Sequence, residues 1–139
     1  MANLSLSAVA VGVYTALNVA GLTALVSTRI FDTLPRKVTY PCVSYTLDED
    51  EARGLGTREL AECTLRVSVF SMSETDAEGQ AIVAKVKDLL KDATLTVSGY
   101  QMAGAVFWRT TTDLGLTEVF GTVVHEWVVE FTLFVEATA

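Results

Sequence analysis

The sequence is poor in the residues from which catalytic and metal sites are usually built. It contains one histidine and two cysteines, which are too few soft ligands for a structural zinc site. Cys42 and Cys63 both fall in predicted strands, where we expect buried thiols that behave as small hydrophobic side chains. A disulfide between them is the alternative. We interpret His125 as a structural residue on the core side of a strand, with no acidic neighbour on its own face.

Basic residues are also scarce, and the net charge is -7. Affinity for a phosphate backbone comes from clustered Lys and Arg, so this balance argues against general nucleic-acid binding. The segment Gly54-Leu55-Gly56 begins like a dinucleotide fingerprint, but Glu59 replaces the third glycine and a strand follows instead of a helix. We therefore predict a protein that is not an enzyme, with no catalytic residue, no cofactor and no metal ligand.

The segment from Ala2 to Thr28 contains no charged side chain, which raises the possibility of a membrane span or a signal peptide. Polar residues and two glycines interrupt it, and it lacks the basic region that begins a signal peptide. A helix over about residues 6–27, buried against a sheet or another subunit, explains the pattern better. Its apolar residues recur at helical spacing at Leu6, Val9, Val13, Leu17, Ala20 and Ala24.

An acidic segment follows a strand predicted over Cys42–Leu47, which Pro41 begins. Residues 48–59, DEDEARGLGTRE, lack apolar periodicity and indicate a mobile loop or the tip of a long hairpin. The acidic run does not have the ligand spacing of an EF-hand calcium loop. It is either a solvated loop or an assembly loop that orders against a partner. The candidate assembly residues are Asp48, Glu49, Asp50, Glu51, Arg53 and Arg58.

Regular patterns resume after this segment. A half-buried strand begins near Glu62, and its alternating apolar residues are Cys63, Leu65, Val67 and Val69. A helix over about residues 75–92 follows, with a capping box formed by Ser73 or Thr75 and by Asp76 or Glu78. The apolar stripe of this helix contains Ile82, Val83, Val86, Leu89, Leu90 and Ala93.

The C-terminal third indicates more strands, predicted over Leu95–Ser98, Ala103–Thr112 and Thr122–Glu136. Trp108 and Trp127 are expected to be core aromatics on neighbouring strands. The last strand shows strict alternation, with Val123, His125, Trp127, Val129, Phe131, Leu133 and Val135 on one face. The sequence thus predicts one α+β domain over residues 1–139, in which an antiparallel-rich sheet packs with two main helices.

The order of these segments resembles the tail-terminator family of long-tailed bacteriophages, also called tail-completion or head-tail joining proteins. The resemblance covers about residues 14–136. It rests on order and spacing, through the segments Arg29-Ile30-Phe31-Asp32, Pro35, Tyr40-Pro41, Val43-Ser44-Tyr45, Leu65 to Ser71, Leu89-Leu90 and the final strand. The sequence departs from the family pattern at Cys42, where an aromatic residue often follows the proline, and in its charge-free leader.

The resemblance implies a structural subunit of the virion tail, located at the neck and assembled in the host cytoplasm. Such proteins form a ring, commonly a hexamer, that caps the completed tail tube and ends its polymerisation. The implied partners are other copies of the chain, the tail tube protein and a head-tail connector or neck protein. DNA would pass through without specific binding, and no membrane is involved. The alternatives are another neck or connector subunit and a small-ligand-binding accessory domain.

Overall fold

The computed structural model describes residues 6–55, 58–73 and 75–137. In these residues, helices pack on one face of a six-stranded sheet. The elements are α1 Leu6–Leu17, α2 Ala20–Val26, β1 Ile30–Phe31, β2 Cys42–Leu55, β3 Arg58–Ser71, α3 Ala77–Leu90, β4 Tyr100–Met102, β5 Phe107–Val119 and β6 Thr122–Ala137.

The sheet has the order β1-β2-β3-β6, and both β4 and β5 pair with β6 on its remaining side. Every pairing is antiparallel except that of β1 with β2, which is parallel and joins only two residues of each strand. The predicted α+β class is therefore confirmed, with a mixed sheet instead of a purely antiparallel one.

The main core lies between the helices and the odd-numbered side chains of the three central strands. Strand alternation places these residues on one face, and the buried hydrophobic ones are Val43, Tyr45, Ala61, Cys63, Leu65, Val67, Val69, Trp127, Val129, Phe131, Leu133 and Val135. The expected alternation in β6 is wrong at its beginning. Val123, near the β5–β6 turn, is 58% exposed, whereas Val124 is buried on the opposite face.

The two cysteines are buried free thiols on opposite faces of the sheet. Cys63 belongs to the main core, and Cys42 packs with Phe70 and Val124 in a smaller cluster on the other face. Burial raises the pKa of the Cys42 thiol to about 12. Both thiols therefore act as hydrophobic core groups.

The predicted N-terminal helix is instead two helices, α1 and α2, which are bent by 84°. The break occurs where Val19 adopts extended dihedral angles and precedes the first residue of α2. The bend buries Leu22 and Val26, whereas Ala20 and Ala24, which the helical spacing placed on the buried stripe, are exposed. No single described helix is long and apolar enough to span a membrane; only this bent pair reaches the required length and composition.

The acidic segment forms the end of a long hairpin and not a loop. Pairing of β2 with β3 continues from Cys42 opposite Phe70 to Leu55 opposite Arg58, with one irregularity between Glu49 and Glu51. Residues 56 and 57, which include the Gly56 of the glycine pair, lie outside the described residues. Of the two predicted alternatives, the tip of a long hairpin is therefore the correct one. The continued pairing of β2 with β3 places the acidic run at the end of the hairpin, away from the core.

Helix α3 lies within the predicted range, but its predicted capping box does not form. Asp76 precedes the helix and makes no capping hydrogen bond through its side chain. Glu78 instead accepts a hydrogen bond of 2.7 Å from the Ser71 hydroxyl, which ties the helix to the end of β3. The predicted stripe is buried at Ile82, Val83, Val86 and Leu90, and Leu89 is half-buried.

Two strand predictions in the C-terminal third are wrong in their bounds. Residues 95–98 make only one isolated bridge, between Val97 and Tyr100, and β4 begins after Gly99, whose φ is +80°. Strand β5 begins at Phe107 instead of Ala103 and extends to Val119. None of its residues is buried, so packing against the core imposes no long apolar alternation on it.

Candidate assembly surfaces

Asp48 of the predicted assembly segment belongs to a charged network on the sheet face opposite the helices. The Arg66 guanidinium donates from Nη1 to Asp48 Oδ2 at 2.6 Å, and its Nε lies 3.3 Å from Glu130 Oε2. The bond to Asp48 is the main reason that the pKa of Arg66 is raised. The side chains of the remaining candidates lie outside the described part of the chain; these are Glu49, Asp50, Glu51, Arg53 and Arg58.

The same sheet face is polar around this network. Thr64 and Thr132 are buried there, and Arg109 donates to the Thr132 hydroxyl at 3.4 Å. Gln101 donates to a Glu136 carboxylate oxygen at 2.6 Å. The described helices pack against the other face. The part of this face around Arg66 and Thr132 is thus hydrogen-bonded and charged, whereas the small apolar cluster of Cys42, Phe70 and Val124 lies elsewhere on the same face.

Both edges of the sheet contain long stretches that pair with no other strand among the described residues. Strand β1 pairs with β2 only at Val43 and Ser44. The outer side of residues 46–55 therefore pairs with no described strand. Strand β5 pairs with β6 alone, so that its outer side is also an edge. Such edges present backbone N–H and C=O groups to a further chain. They are two different surfaces of one subunit.

The end of the β5–β6 hairpin exposes a group of large apolar side chains, which we call the apolar tip. Its members are Leu114 (48% exposed), Leu116 (75%), Phe120 (55%) and Val123 (58%). Phe120 and Gly121 form the two-residue connection, with φ values of +48° and +85°. Positive φ at both positions indicates a type I′ turn, which prefers Asn-Gly or Asp-Gly. Phenylalanine is thus unexpected at Phe120.

His125 has the acidic neighbours that its own strand face lacks. Its Nε2 lies 2.6 Å from Asp113 Oδ1, and its Nδ1 lies 3.3 Å from Asp76 Oδ1. Its ring stacks on Trp127, with centroids 3.8 Å apart. The expectation of a core histidine without acidic company is therefore wrong, because the two carboxylates come from β5 and from the start of α3.

The histidine cluster fastens the start of α3 to the β5–β6 hairpin. The hydrogen bond from His125, followed by one from the Gly115 backbone N–H, lowers the pKa of Asp113. Across the residues that the structure describes, no three His, Cys, Asp or Glu side chains are grouped to hold a metal ion. These contacts have a structural role, because they hold the start of α3 against strands β5 and β6.

A groove of about 580 Å³ lies between α3 and β5, and we call it the tryptophan cleft. Trp127 forms its buried wall, so the prediction of a core aromatic is confirmed there. The same prediction is wrong for Trp108, which is only half-buried at the rim, although the two residues do lie on neighbouring strands. Lys87 Nζ lies 3.6 Å from the Trp108 ring centroid. The cleft is lined by Gln80, Val83, Ala84, Lys87, Trp108, Thr111, Asp113 and Trp127.

The family model described as tail completion protein gp17 matches residues 11–136. The chain belongs to this family. The resemblance found in the sequence is thereby confirmed, and this gp17-family chain is a structural protein of the bacteriophage tail. The helices and sheet described above lie almost entirely within the matched range.

The fold is also similar to that of a chain in the virion of a native gene transfer agent (GTA) particle. The TM-score is 0.82 at 24% sequence identity, and the match covers 98% of this chain and 100% of that chain. At this identity the comparison establishes a shared fold. No curated protein matches the sequence.

Proposed function

We propose that this tail completion protein forms a closed ring, most simply a hexamer, on the end of the finished tail tube. The observation that supports this best is membership of the tail completion family over residues 11–136. The ring ends polymerisation because it occupies the surface that the next tube subunits would use. Its opposite face receives the head connector, which places the protein at the neck of the virion after assembly in the host cytoplasm.

The two different sheet edges support a ring made of one repeated contact. A cyclic assembly other than a dimer requires a heterologous contact, in which each copy uses two distinct patches. Strand directions alternate through β2, β3, β6 and β5. A neighbour in the same orientation, with its β5 beside this β2, would therefore continue the antiparallel alternation. The contact makes and breaks no covalent bond.

The acidic hairpin and the polar sheet face suit a passage for DNA. Asp48 and Glu130 lie together on the face opposite the helices, and the segment beyond Asp48 adds three more acidic residues. We propose that this hairpin is an assembly element that contacts a neighbour or the tube, and that acidic groups facing the lumen repel passing DNA. Repulsion prevents the phosphate backbone from adhering to the ring.

Neutralising the acidic run tests the proposal. In a complementation assay on a phage that lacks this protein, the wild-type chain should restore tails of uniform length joined to heads. A variant with Asp48, Glu49, Asp50 and Glu51 changed to Asn or Gln should fold normally by circular dichroism. It should yield fewer capped tails and fewer joined heads, because the hairpin has lost its charged contacts.

A control changes three exposed carboxylates elsewhere, namely Asp32, Asp88 and Asp92. Both variants lower the net negative charge by a similar amount, so a defect confined to the hairpin variant identifies a local contact. Normal capping and joining by the hairpin variant would show that the acidic run is solvent-exposed and has no role in assembly. Failure of the wild-type chain to change tail length would contradict the capping function itself.

A further inference from the structure

Phe120 occupies a backbone conformation that is costly for its side chain. The left-handed region is unfavourable for bulky residues and is tolerated by Asn and Gly. Phe120 nevertheless has a φ of +48° and is 55% exposed, so burial within the subunit offsets little of this cost. The Arg36 guanidinium lies 5.7 Å from its ring centroid. A strained and exposed aromatic residue of this kind points to a contact outside the subunit.

The tryptophan cleft has the chemistry to receive such a ring. Trp108, Trp127 and Val83 supply aromatic and aliphatic walls, and aromatic pairs in offset or edge-to-face geometry are favourable beyond simple burial. Both surfaces carry charges of either sign. Lys87 and Lys91 lie 3.6 and 5.9 Å from the Trp108 ring centroid, and Asp113 also lines the cleft. At the tip, the exposed Glu118 stands two residues before Phe120, and Arg36 lies over its ring. Each charge therefore has a possible partner of opposite sign on the other surface.

The Phe120 ring is too far from the cleft to enter it within one subunit. Asp113, the cleft residue nearest to Phe120 along β5, precedes it by seven residues. At about 3.3 Å per residue this is on the order of 23 Å. A tip can therefore reach only the cleft of another copy. Such a contact uses different patches on the two partners, as a ring requires.

We propose that Phe120 of one copy inserts into the tryptophan cleft of the next copy in the ring. The inference rests on the proposed ring and identifies one contact that closes it. Each subunit contributes one tip and receives one tip. The strain at Phe120 is explained by a role in assembly, because only the assembled state buries its ring.

Matched substitutions test this contact by sedimentation. Phe120→Asn removes the ring and suits the positive φ at the turn. Phe107→Asn makes the same change at the first residue of β5, which is 64% exposed. We expect Phe120→Asn to weaken self-association by about ten- to a hundredfold, the effect of leaving one phenylalanine unburied. Phe107→Asn should assemble like the wild type. Ala84→Arg, at an exposed helix position, should block the cleft and also prevent assembly.

Mixing the two defective variants gives a result that is specific to this geometry. Ala84→Arg keeps an intact tip and Phe120→Asn keeps an intact cleft, so the mixture should form dimers but no rings. Tryptophan emission should shift to the blue on wild-type assembly, since both tryptophans of the chain line the cleft. The mixed dimer should show part of this shift.

Rings formed by Phe120→Asn at wild-type concentrations would overturn the inference and leave the proposed function intact. Rings of Phe120→Asn that fail to cap tubes would assign the tip to the tube protein instead, which also overturns it. The proposed contact would also be overturned if the mixture of the two variants stayed monomeric. An assembly defect in Phe107→Asn equal to that of Phe120→Asn would overturn it as well. A wild-type chain that stays monomeric even with tail tubes would contradict both this contact and the proposed ring.

Discussion

Leu90→Ala is expected to lower the free energy of unfolding by about 2–5 kcal/mol. Leu90 is completely buried where the end of α3 packs into the main core, with no exposed surface on its side chain. The substitution loses the transfer free energy of the removed methyl groups and leaves a cavity that its neighbours fill only partly. Urea or thermal denaturation of the isolated subunit measures the change.

Leu89→Ala is the matched control, because it removes the same atoms from the adjacent position. Leu89 is only half-buried at the edge of the core, so we expect its loss to be clearly smaller than that of Leu90. The sequence placed both leucines on one apolar stripe, and the structure distinguishes them. Equal midpoints for the two variants and the wild type would mean that α3 does not pack on the sheet as described.

Gly79→Ala is expected to destabilise the protein by about 1–3 kcal/mol, the range for overpacking a filled core. A glycine-to-alanine change within a helix usually stabilises a protein, because alanine is favoured there by roughly 1 kcal/mol. At Gly79 we expect the opposite effect on stability. A Cβ at Gly79 would overlap the six-membered part of the Trp127 indole. That ring is held between the core and the His125 stack, so it cannot easily move away.

The double variant Gly79→Ala with Trp127→Phe provides the control for this clash. Phenylalanine lacks the part of the indole that the new methyl group would meet, so the two changes should be strongly non-additive. Calorimetry on the two single variants and the double variant completes the cycle. A stabilising Gly79→Ala, or simple additivity, would show that α3 and β6 are not in this close contact.

The elements with one dominant period were predictable from the sequence. In β3 and in the second half of β6, apolar residues alternate because one face meets the helices and the other does not. The apolar stripe of α3 follows in the same way from a helix that is buried on one side. In both cases the local pattern and the final burial have the same physical cause.

The remaining features depend on contacts that the local pattern does not encode. The break at Asn18 and Val19 lies in a charge-free segment whose apolar residues continue at helical spacing across it, and docking of α2 on the rest of the core decides which of its residues are buried. The acidic hairpin extends a register set by Val43 and Val69 near the other end of the same strands. Its own composition is typical of a loop, and pairing overrides that preference.

The candidate surfaces also combine residues that the sequence pattern predicts with partners that only the tertiary structure shows. Asp48 was identified from the charge run, but its partners Arg66 and Glu130 come from two other strands. Asp76 and Asp113 reach His125 from outside its strand for the same reason. One signal for the apolar tip was present in the sequence: the Phe120-Gly121 pair between two strands, where Asn-Gly would be ordinary.

Native mass spectrometry of the purified protein, with and without isolated tail tubes, tests whether the protein forms a ring that caps the tail tube. We expect one closed species at a fixed integer multiple of the 15.0 kDa subunit, present in solution at high concentration or released intact from tube ends. The expected multiple is six. A protein that remains strictly monomeric alone, and that binds tubes as single copies or not at all, would rule out the ring.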